Sequence, residues 1–391
     1  MSTRRVAITG VGVVAPCGIG KDAYFAGLCG TQTPGQRIVH DFDPLQYFDS
    51  PKTARRADRF QQFAIAAADE AIKQAGDLTA DPTRIGSLIA TGIGGLRTMN
   101  EQGEVLANKG ARRVSPFLVP MMMGNAGAAA VSMKYGFQGP CETTVTACAS
   151  STHAIGNAAD LIKWGRADAV VAGGSEASIT ELATAGFANM TALSNEGISK
   201  PFDVDRNGFV QSEAAGVLML EEWDMAVARG AKILGELMGS ANTADAHHIT
   251  APAPGGSGAI RCMNLAMEDA GISASDVVHI NAHGTSTPLN DAAEAHAMAE
   301  IFGTPGPLVT STKGITGHAL GAAGAIEAAA VVLAMEHKLI PPTDGFQNAD
   351  PDLPPVNLVY GKPREWVPGP SLSNSFGFGG HNGTIVIGPG I

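Results

Sequence analysis

Apolar residues recur along the chain with two periods. Short β-branched runs bounded by glycine predict buried strands at 5–14, 86–90, 167–172, 232–240, 277–282 and 308–312, with a further pair of strand segments within 209–222. The strand at 167–172 is expected to stop at Gly173-Gly174. Helical spacing predicts helices at 22–28, 58–75, 115–135, 224–229, 258–270, 291–302 and 317–337, and Gly76 stands where a C-cap belongs. Strands alternating with helices predict an α/β protein with largely parallel sheets covered on both faces. The element order of the second half echoes the first, so the chain divides into two duplicated units, 1–231 and 232–391. In such sheets sites lie beyond the carboxyl ends of strands. Cys148, His283 and Lys313 fall at such ends, and His318 follows within one short turn.

Composition narrows the class. The chain is 45% hydrophobic and 16% charged with 49 glycines, which excludes disorder and fits close helix–sheet packing. A net charge of −11 argues against wholesale nucleic-acid binding. Lys52, Arg55, Arg56 and Arg59 nevertheless cluster near one helix start, and Arg112-Arg113 form a second basic spot, a pattern compatible with an acidic partner. Five cysteines without C-x-x-C spacing exclude a disulfide framework and fit a reducing cytoplasm. The N-terminal apolar run, interrupted by Gly10 and Gly12, reads as strand and turn, not as a leader. The apolar stretch 319–335 contains Glu327 and is too short and small-residue-rich for a bilayer span, so a soluble, cytoplasmic protein is expected.

Candidate chemistry gathers at Cys148. A β-prone run reaches this lone cysteine, and small residues then open a helix whose apolar face is Ile155, Ala158, Ala159 and Ile162. On such an elbow, free backbone N–H groups and the helix dipole favour a thiolate. Alone, the residue reads more readily as a buried structural cysteine than as a nucleophile. Three later segments alter that weighing. Residues 281–288 carry His283 into a hydroxyl-rich turn, and 311–324 combine Lys313 and His318 with glycines that permit close approach. Glu327 follows in an apolar helix, where a carboxylate needs a partner, and Lys313 is the obvious one. Residues 374–382 place glycines around Phe376 and Phe378, as a mobile aromatic flap or a plain hairpin turn. The turn Gly92-Ile93-Gly94-Gly95 lacks both dinucleotide and Walker spacing. No histidine shows metal-ligand spacing, and no metal site is expected.

Taken together, Thr-Ala-Cys-Ala-Ser (146–150), Ala-His-Gly-Thr-Ser-Thr (282–287), Lys-Gly-Ile-Thr-Gly-His (313–318) and Asn-Ser-Phe-Gly-Phe-Gly-Gly (374–380) resemble the elongating β-ketoacyl-acyl-carrier-protein synthases of the thiolase superfamily. The resemblance runs over almost the whole chain. It implies a five-layer αβαβα fold of two pseudo-symmetric halves and decarboxylative Claisen condensation. Cys148 would accept the acyl chain as a low-pKa thiolate, and its own N–H with that of Phe378 would form the oxyanion hole. His283 and His318 would hold the malonyl thioester carbonyl, Lys313 with Glu327 would set the local field, and Phe378 would gate access. Thr285 and Thr287 resemble pantetheine-binding hydroxyls. Phe376 would contact substrate, and Met99 stands where the family lines its acyl pocket. The basic spots, with Lys200 and Arg206, are the docking candidates for an acyl carrier protein. No cofactor is implied, since phosphopantetheine arrives on the carrier.

Two histidines set the chain apart from initiating enzymes, which have asparagine where His318 stands. The absence of a cysteine after Cys262 sets it apart from thiolases. The pathway stays open between fatty-acid elongation by a homodimer and a type II polyketide system, in which the chain would pair with a chain-length-factor homologue. Intact Cys148, His283 and His318 speak against a non-catalytic scaffold subunit.

Overall fold

A computed structural model describes residues 4–391. Its first five main strands are β1 (Val6–Ala15), β2 (Ile85–Ala90), β3 (Cys141–Glu142), β4 (Ala169–Glu176) and β5 (Ala214–Glu222). The next five are β6 (Gly235–Ala244), β7 (His279–Asn281), β8 (Leu308–Thr310), β9 (Ser371–Gly377) and β10 (His381–Pro389). The helices that matter for the site are α1 (Arg59–Ala75), α2 (Leu96–Lys109), α3 (Ala126–Tyr135), α4 (Ser150–Lys163), α5 (Ser257–Ala270), α6 (Pro288–Phe302) and α7 (Ala323–His337).

The ten strands run β3-β2-β4-β5-β1-β6-β10-β9-β7-β8, and a two-residue strand, Gly18–Ile19, folds back on β1. Counted from its outer edge, each half therefore has the order third, second, fourth, fifth, first. The strand senses repeat as well. β2 is parallel to β3 and β4, as β7 is to β8 and β9, while β4–β5–β1 and β9–β10–β6 are antiparallel. Order and sense together make the internal duplication a topological fact. The sheet is mixed, not largely parallel as the alternation predicts, because β9 and β10 form a direct hairpin and β5 returns antiparallel.

Five layers result. Helices α1 and α3 cover one face of the first half, α5 and α6 cover the far face of the second, and α4 and α7 pack on each other between the halves. β1 is buried at all ten positions, as a strand covered on both faces must be. Its Gly10 and Gly12 let α1 sit directly on it, since a Cβ there would fall 2.0 and 1.9 Å from the carbonyl oxygens of Ala71 and Ala67. Asp58 caps α1 through a capping box with Gln61, and Gly76 ends it at φ 77°. The stretch Leu320–His337 is long and apolar enough by composition to cross a membrane, but 89% of it is buried as the central core helix.

One predicted strand end moves, one predicted helix is broken, and two further helices appear. β4 runs through Gly173-Gly174 to Glu176 instead of stopping there, because glycine is what lets the strand lie against its neighbours. A Cβ at Gly173 would meet the Gly216 carbonyl oxygen of β5 at 2.0 Å. The single helix expected at 115–135 is broken into Leu118–Met122 and α3. Two helices, α2 and Glu181–Asn189, were not predicted.

Candidate active site

The nucleophile elbow is built by backbone strain and small side chains. Cys148 sits in the turn Ala147–Ala149 just before α4, and Ala147 holds φ 50°, a left-handed conformation costly for a residue with a Cβ. The Ser150 hydroxyl stabilises the turn by donating to Ala147 O (2.6 Å) and accepting from Thr146 N (2.8 Å). Gly377 comes so close that a Cβ on it would lie 3.0 Å from Cys148 N. That approach brings the Phe378 N–H onto the sulfur. Donors from two chain segments, Cys148 N–H and Phe378 N–H, thus converge beside one thiol.

The second half supplies two imidazoles. His318 Nε2 lies 3.0 Å from Cys148 Sγ, and the His283 and His318 rings stand edge to face with centroids 5.4 Å apart. Lys313 is buried and fully engaged: its ammonium donates to the Glu327 carboxylate, to His283 O (2.6 Å) and to His283 Nδ1 (3.4 Å). Accepting at Nδ1 leaves His283 with its proton on Nε2, so the ring faces the site as a donor. Glu294, unremarked in the sequence, accepts from the N–H groups of His283 and Gly284, both at 2.8 Å, and so fixes the strand end.

Charge states follow from this burial. Both histidines are pushed well below the usual imidazole range by burial and then by the Lys313 charge, so both stay neutral. Burial pushes the Glu327 carboxyl up to about 7 against the pull of Lys313. Cys148 departs from expectation. The elbow was expected to lower its pKa, but burial pushes it up to about 11, outweighing Lys313 and the Phe378 and Cys148 N–H groups, while the Glu176 charge adds to the rise. The resting group is therefore a thiol.

One cavity of about 680 Å³ joins these groups to the surface. Its apolar lining includes Ile93, Phe187, Met190, Phe209 and Leu320, and its polar lining includes Asp245, Thr250, Thr285, Thr287 and Asn290. Phe209 stacks edge-on against both Phe187 (5.4 Å) and His318 (5.2 Å), which carries the apolar wall to the reacting groups. Phe376 packs against His283 at 5.9 Å. The Thr285 and Thr287 hydroxyls are 2.9 Å apart.

Donor atoms of Cys148, His283 and His318 lie within 4.8 Å of one another, the one such group among the described residues. The set does not suit a cation. Lys313 already places a positive charge there, and the His283 tautomer it imposes offers Nε2–H in place of a lone pair.

Of the expected site residues, Cys148, His283, His318, Thr285, Thr287, Phe376 and Phe378 line this cavity, with Lys313 and Glu327 buried behind. Met99 does not line it. It is 49% exposed on α2, a helix in which Thr98 is the buried residue. Lys52, Arg55, Arg56, Arg112 and Arg113 are exposed, and Arg56 lies over the Phe117 ring at 4.2 Å, close to the Arg112-Arg113 pair in sequence. Arg59 and Arg206 do not belong with them: Arg59 is bound to buried Glu213 (2.7 Å), and Arg206, 9% exposed, to Asp350 (2.6 Å). Lys200 is paired with Glu196 (2.8 Å).

Cysteine elbow, paired histidines and duplicated halves find their match among known proteins. The chain belongs to the β-ketoacyl synthase family: residues 29–226 match its N-terminal domain and residues 234–347 its C-terminal domain. It is similar to 3-oxoacyl-[acyl-carrier-protein] synthase 2 of Synechocystis sp., 44% identical over 413 residues covering 99% of this chain and 98% of that one. Among solved structures it resembles the ishigamide ketosynthase/chain length factor, with TM-score 0.93 and 32% identity, covering 99% of this chain and 100% of that one. A type II PKS acyl-carrier protein in complex with its ketosynthase bound to the hexaketide, the AntDE:AntF assembly, gives TM-score 0.90 and 30% identity over 99% and 100% of the two chains.

Proposed function

We propose that this chain extends a carrier-bound acyl chain by two carbons through decarboxylative Claisen condensation. The observation that carries the reading is Cys148 Sγ 3.0 Å from His318 Nε2, beside a lysine-locked His283, at the base of a cavity with an apolar and a polar lining. The Cys148 sulfur attacks the thioester of an acyl-carrier protein, and the S–C bond forms while the oxyanion rests on the Cys148 and Phe378 N–H groups. The carrier's pantetheine sulfur leaves with the thiol proton. Neutral histidines fit this step, since neither is suited to store a proton.

Malonyl-carrier protein then loses CO₂, and the electron pair of the broken C–C bond becomes an enolate held by the Nε2–H groups of His283 and His318. The enolate carbon attacks the acyl-Cys148 carbonyl, and the Cys148 sulfur departs, leaving a 3-ketoacyl thioester on the carrier. Lys313 and Glu327 act as positioning residues. No resident cofactor is required. The apolar lining suits the acyl chain, and Thr285 and Thr287 suit the pantetheine amides.

The exposed set Lys52, Arg55, Arg56, Arg112 and Arg113 is the docking surface for the acidic carrier, a reading supported by the ketosynthase–carrier complex among its structural relatives. Met99, Leu106, Val119, Met123 and Met133 leave an apolar face on α2, α3 and the segment between them, suited to a second copy or to a chain-length-factor homologue. Identity of 44% to a 3-oxoacyl synthase, against 32% and 30% to the polyketide-type structures, favours fatty-acyl extension. The test is intact-mass analysis after incubation with acyl- and malonyl-carrier proteins of several lengths. A mass gain on Cys148, CO₂ release and a two-carbon-longer ketoacyl product are expected. A chain that takes no acyl group would end the proposal.

A further inference from the structure

The glycine turn at 92–95, discounted as a phosphate loop, has a different partner. Glu176, the last residue of β4, is fully buried, and its carboxylate reaches two other chain segments at once. It accepts from Gly92 N (2.7 Å), Gly321 N (3.1 Å) and Thr91 Oγ1 (3.3 Å), and also from Ile93 N. Thr91 Oγ1 in turn accepts from Gly94 N (3.0 Å). The two turns touch through backbone alone, because a Cβ on Gly321 would lie 2.0 Å from Gly92 N, and one on Gly92 would lie 2.7 Å from the Glu176 carboxylate. One of these turns presents Ile93 to the cavity, and the other presents His318 and Leu320. Among the described residues, no other side chain hydrogen-bonds to both turns.

We infer that Glu176 is a positioning residue that holds the Ile93 wall and the His318 turn as one unit around the Cys148 thiol, and thereby sets which acyl chains the pocket accepts. The inference rests on the proposed condensation for its acyl-chain part alone. A carboxylate suits this place better than an amide, because every contact it makes is to a donor and an anion accepts all of them. Its charge has a second consequence, since it opposes ionisation of Cys148.

Glu176→Gln keeps the size and removes the charge, and two readouts separate positioning from mere packing. The first is iodoacetamide alkylation of Cys148 followed by intact mass across pH 7–11, which needs no carrier protein. The amide variant should alkylate about threefold faster at pH 8, equivalent to about half a pH unit, although a looser fold with unchanged electrostatics would leave the profile in place. The second is the ratio of Cys148 acylation rates for short and long acyl-carrier thioesters, which should fall several-fold toward unity. An alkylation profile that superimposes on the parent's, or an unaltered length ratio, overturns the inference. If the parent itself takes no acyl group, the condensation reading falls and the alkylation profile alone decides this one. Should the amide variant fail to fold, Thr91→Val, which removes one strut of the clamp, must lower the length ratio in the same direction; an unchanged ratio overturns it equally.

Discussion

The two halves of this molecule share a strand order, a set of strand senses and a central helix, yet they deliver different chemistry to one cavity. Both reach the site through a strained turn. Ala147 at φ 50° precedes Cys148, and Leu320 at φ 46° follows His318, so each half bends a residue with a Cβ into left-handed space where its functional side chain emerges. Beyond the turn they diverge. Nine residues after Cys148 stands Asn157, exposed and within reach of Asn242 (3.3 Å). Nine residues after His318 stands Glu327, fully buried and paired with Lys313. The same scaffold therefore keeps an uncharged, exposed asparagine behind the nucleophile and a buried ion pair behind the histidine. The difference teaches how duplication splits a reaction. One half offers a sulfur, and the other uses its polarity to fix tautomer and charge for the two imidazoles that face it.

Removing the nucleophile tests the first half. Cys148→Ala should cut acylation and overall condensation by at least ~10⁴-fold. Persistent acylation at another residue, seen as a mass gain mapped by peptide digestion, would dismiss the division of labour outright. The second half has a subtler signature. His318→Ala should leave most of the acylation rate intact while lowering condensation by ~10²–10³-fold, the scale of losing one oxyanion donor. Single-turnover acylation and CO₂ release, measured separately, check the split. Elongation at the normal rate would remove His318 from the enolate.

Much of this comparison was legible in the sequence, and the reasons are physical. Four motifs in fixed order, three of them glycine-bearing, defined the site because close backbone approach tolerates so few residues, as Gly377 against Cys148 N illustrates. The repeat of strands and helices exposed the duplication. What stayed hidden depends on partners distant in sequence. Arg59 and Arg206 read as free surface charges, since Glu213 and Asp350 lie 154 and 144 residues away. α2 escaped notice because Met99 and Leu106, two of its large apolar residues, face outward in the single chain and leave no buried apolar stripe. Elbow position argued for an acidic Cys148 thiol, whereas burial in the assembled pocket reverses the sign. Glu176 and Glu294 carried one available signal, a carboxylate inside an otherwise apolar or small-residue run.

Stability should separate the two central helices cleanly. Glu327→Gln leaves the Lys313 ammonium buried without its counter-charge, at a cost of about 3–5 kcal/mol in urea unfolding. Asn157→Ala, at the corresponding offset in the other half, should change stability by less than ~0.5 kcal/mol. A double variant, Lys313→Met with Glu327→Leu, should recover most of the loss while remaining inactive, because apolar residues of similar volume replace the pair. Equal losses at Asn157 and Glu327 would show that the halves are not specialised as described.

The smallest expected effect concerns the second strand of each half. In the first, buried Ser87 on β2 donates to Ala128 O (3.0 Å) and is satisfied. In the second, His279 on β7 is 2% exposed, stacks edge-on to Trp366 at 5.4 Å, and finds no hydrogen-bond partner among the described residues for either ring nitrogen. Burial lowers its pKa to about 3, against about 6.5 for histidine in an unfolded chain. The folded pKa is depressed, so the unfolded chain takes up the proton first as pH falls. The neutral ring's contribution is complete above pH 6.5 and drains away between 6.5 and 3, with about 2 kcal/mol lost by pH 5. Glu176 and Glu327, both raised to about 7, work in the opposite sense across pH 4.5 to 7, so the parent's own pH profile mixes the two. His279→Phe isolates the ring: it keeps the contact with Trp366 and cannot titrate. Its stability relative to the parent should therefore rise by about 2 kcal/mol between pH 7 and pH 5, read from urea midpoints. Parallel profiles would mean that His279 is protonated or hydrated in the fold, and that the second half is no worse satisfied than the first.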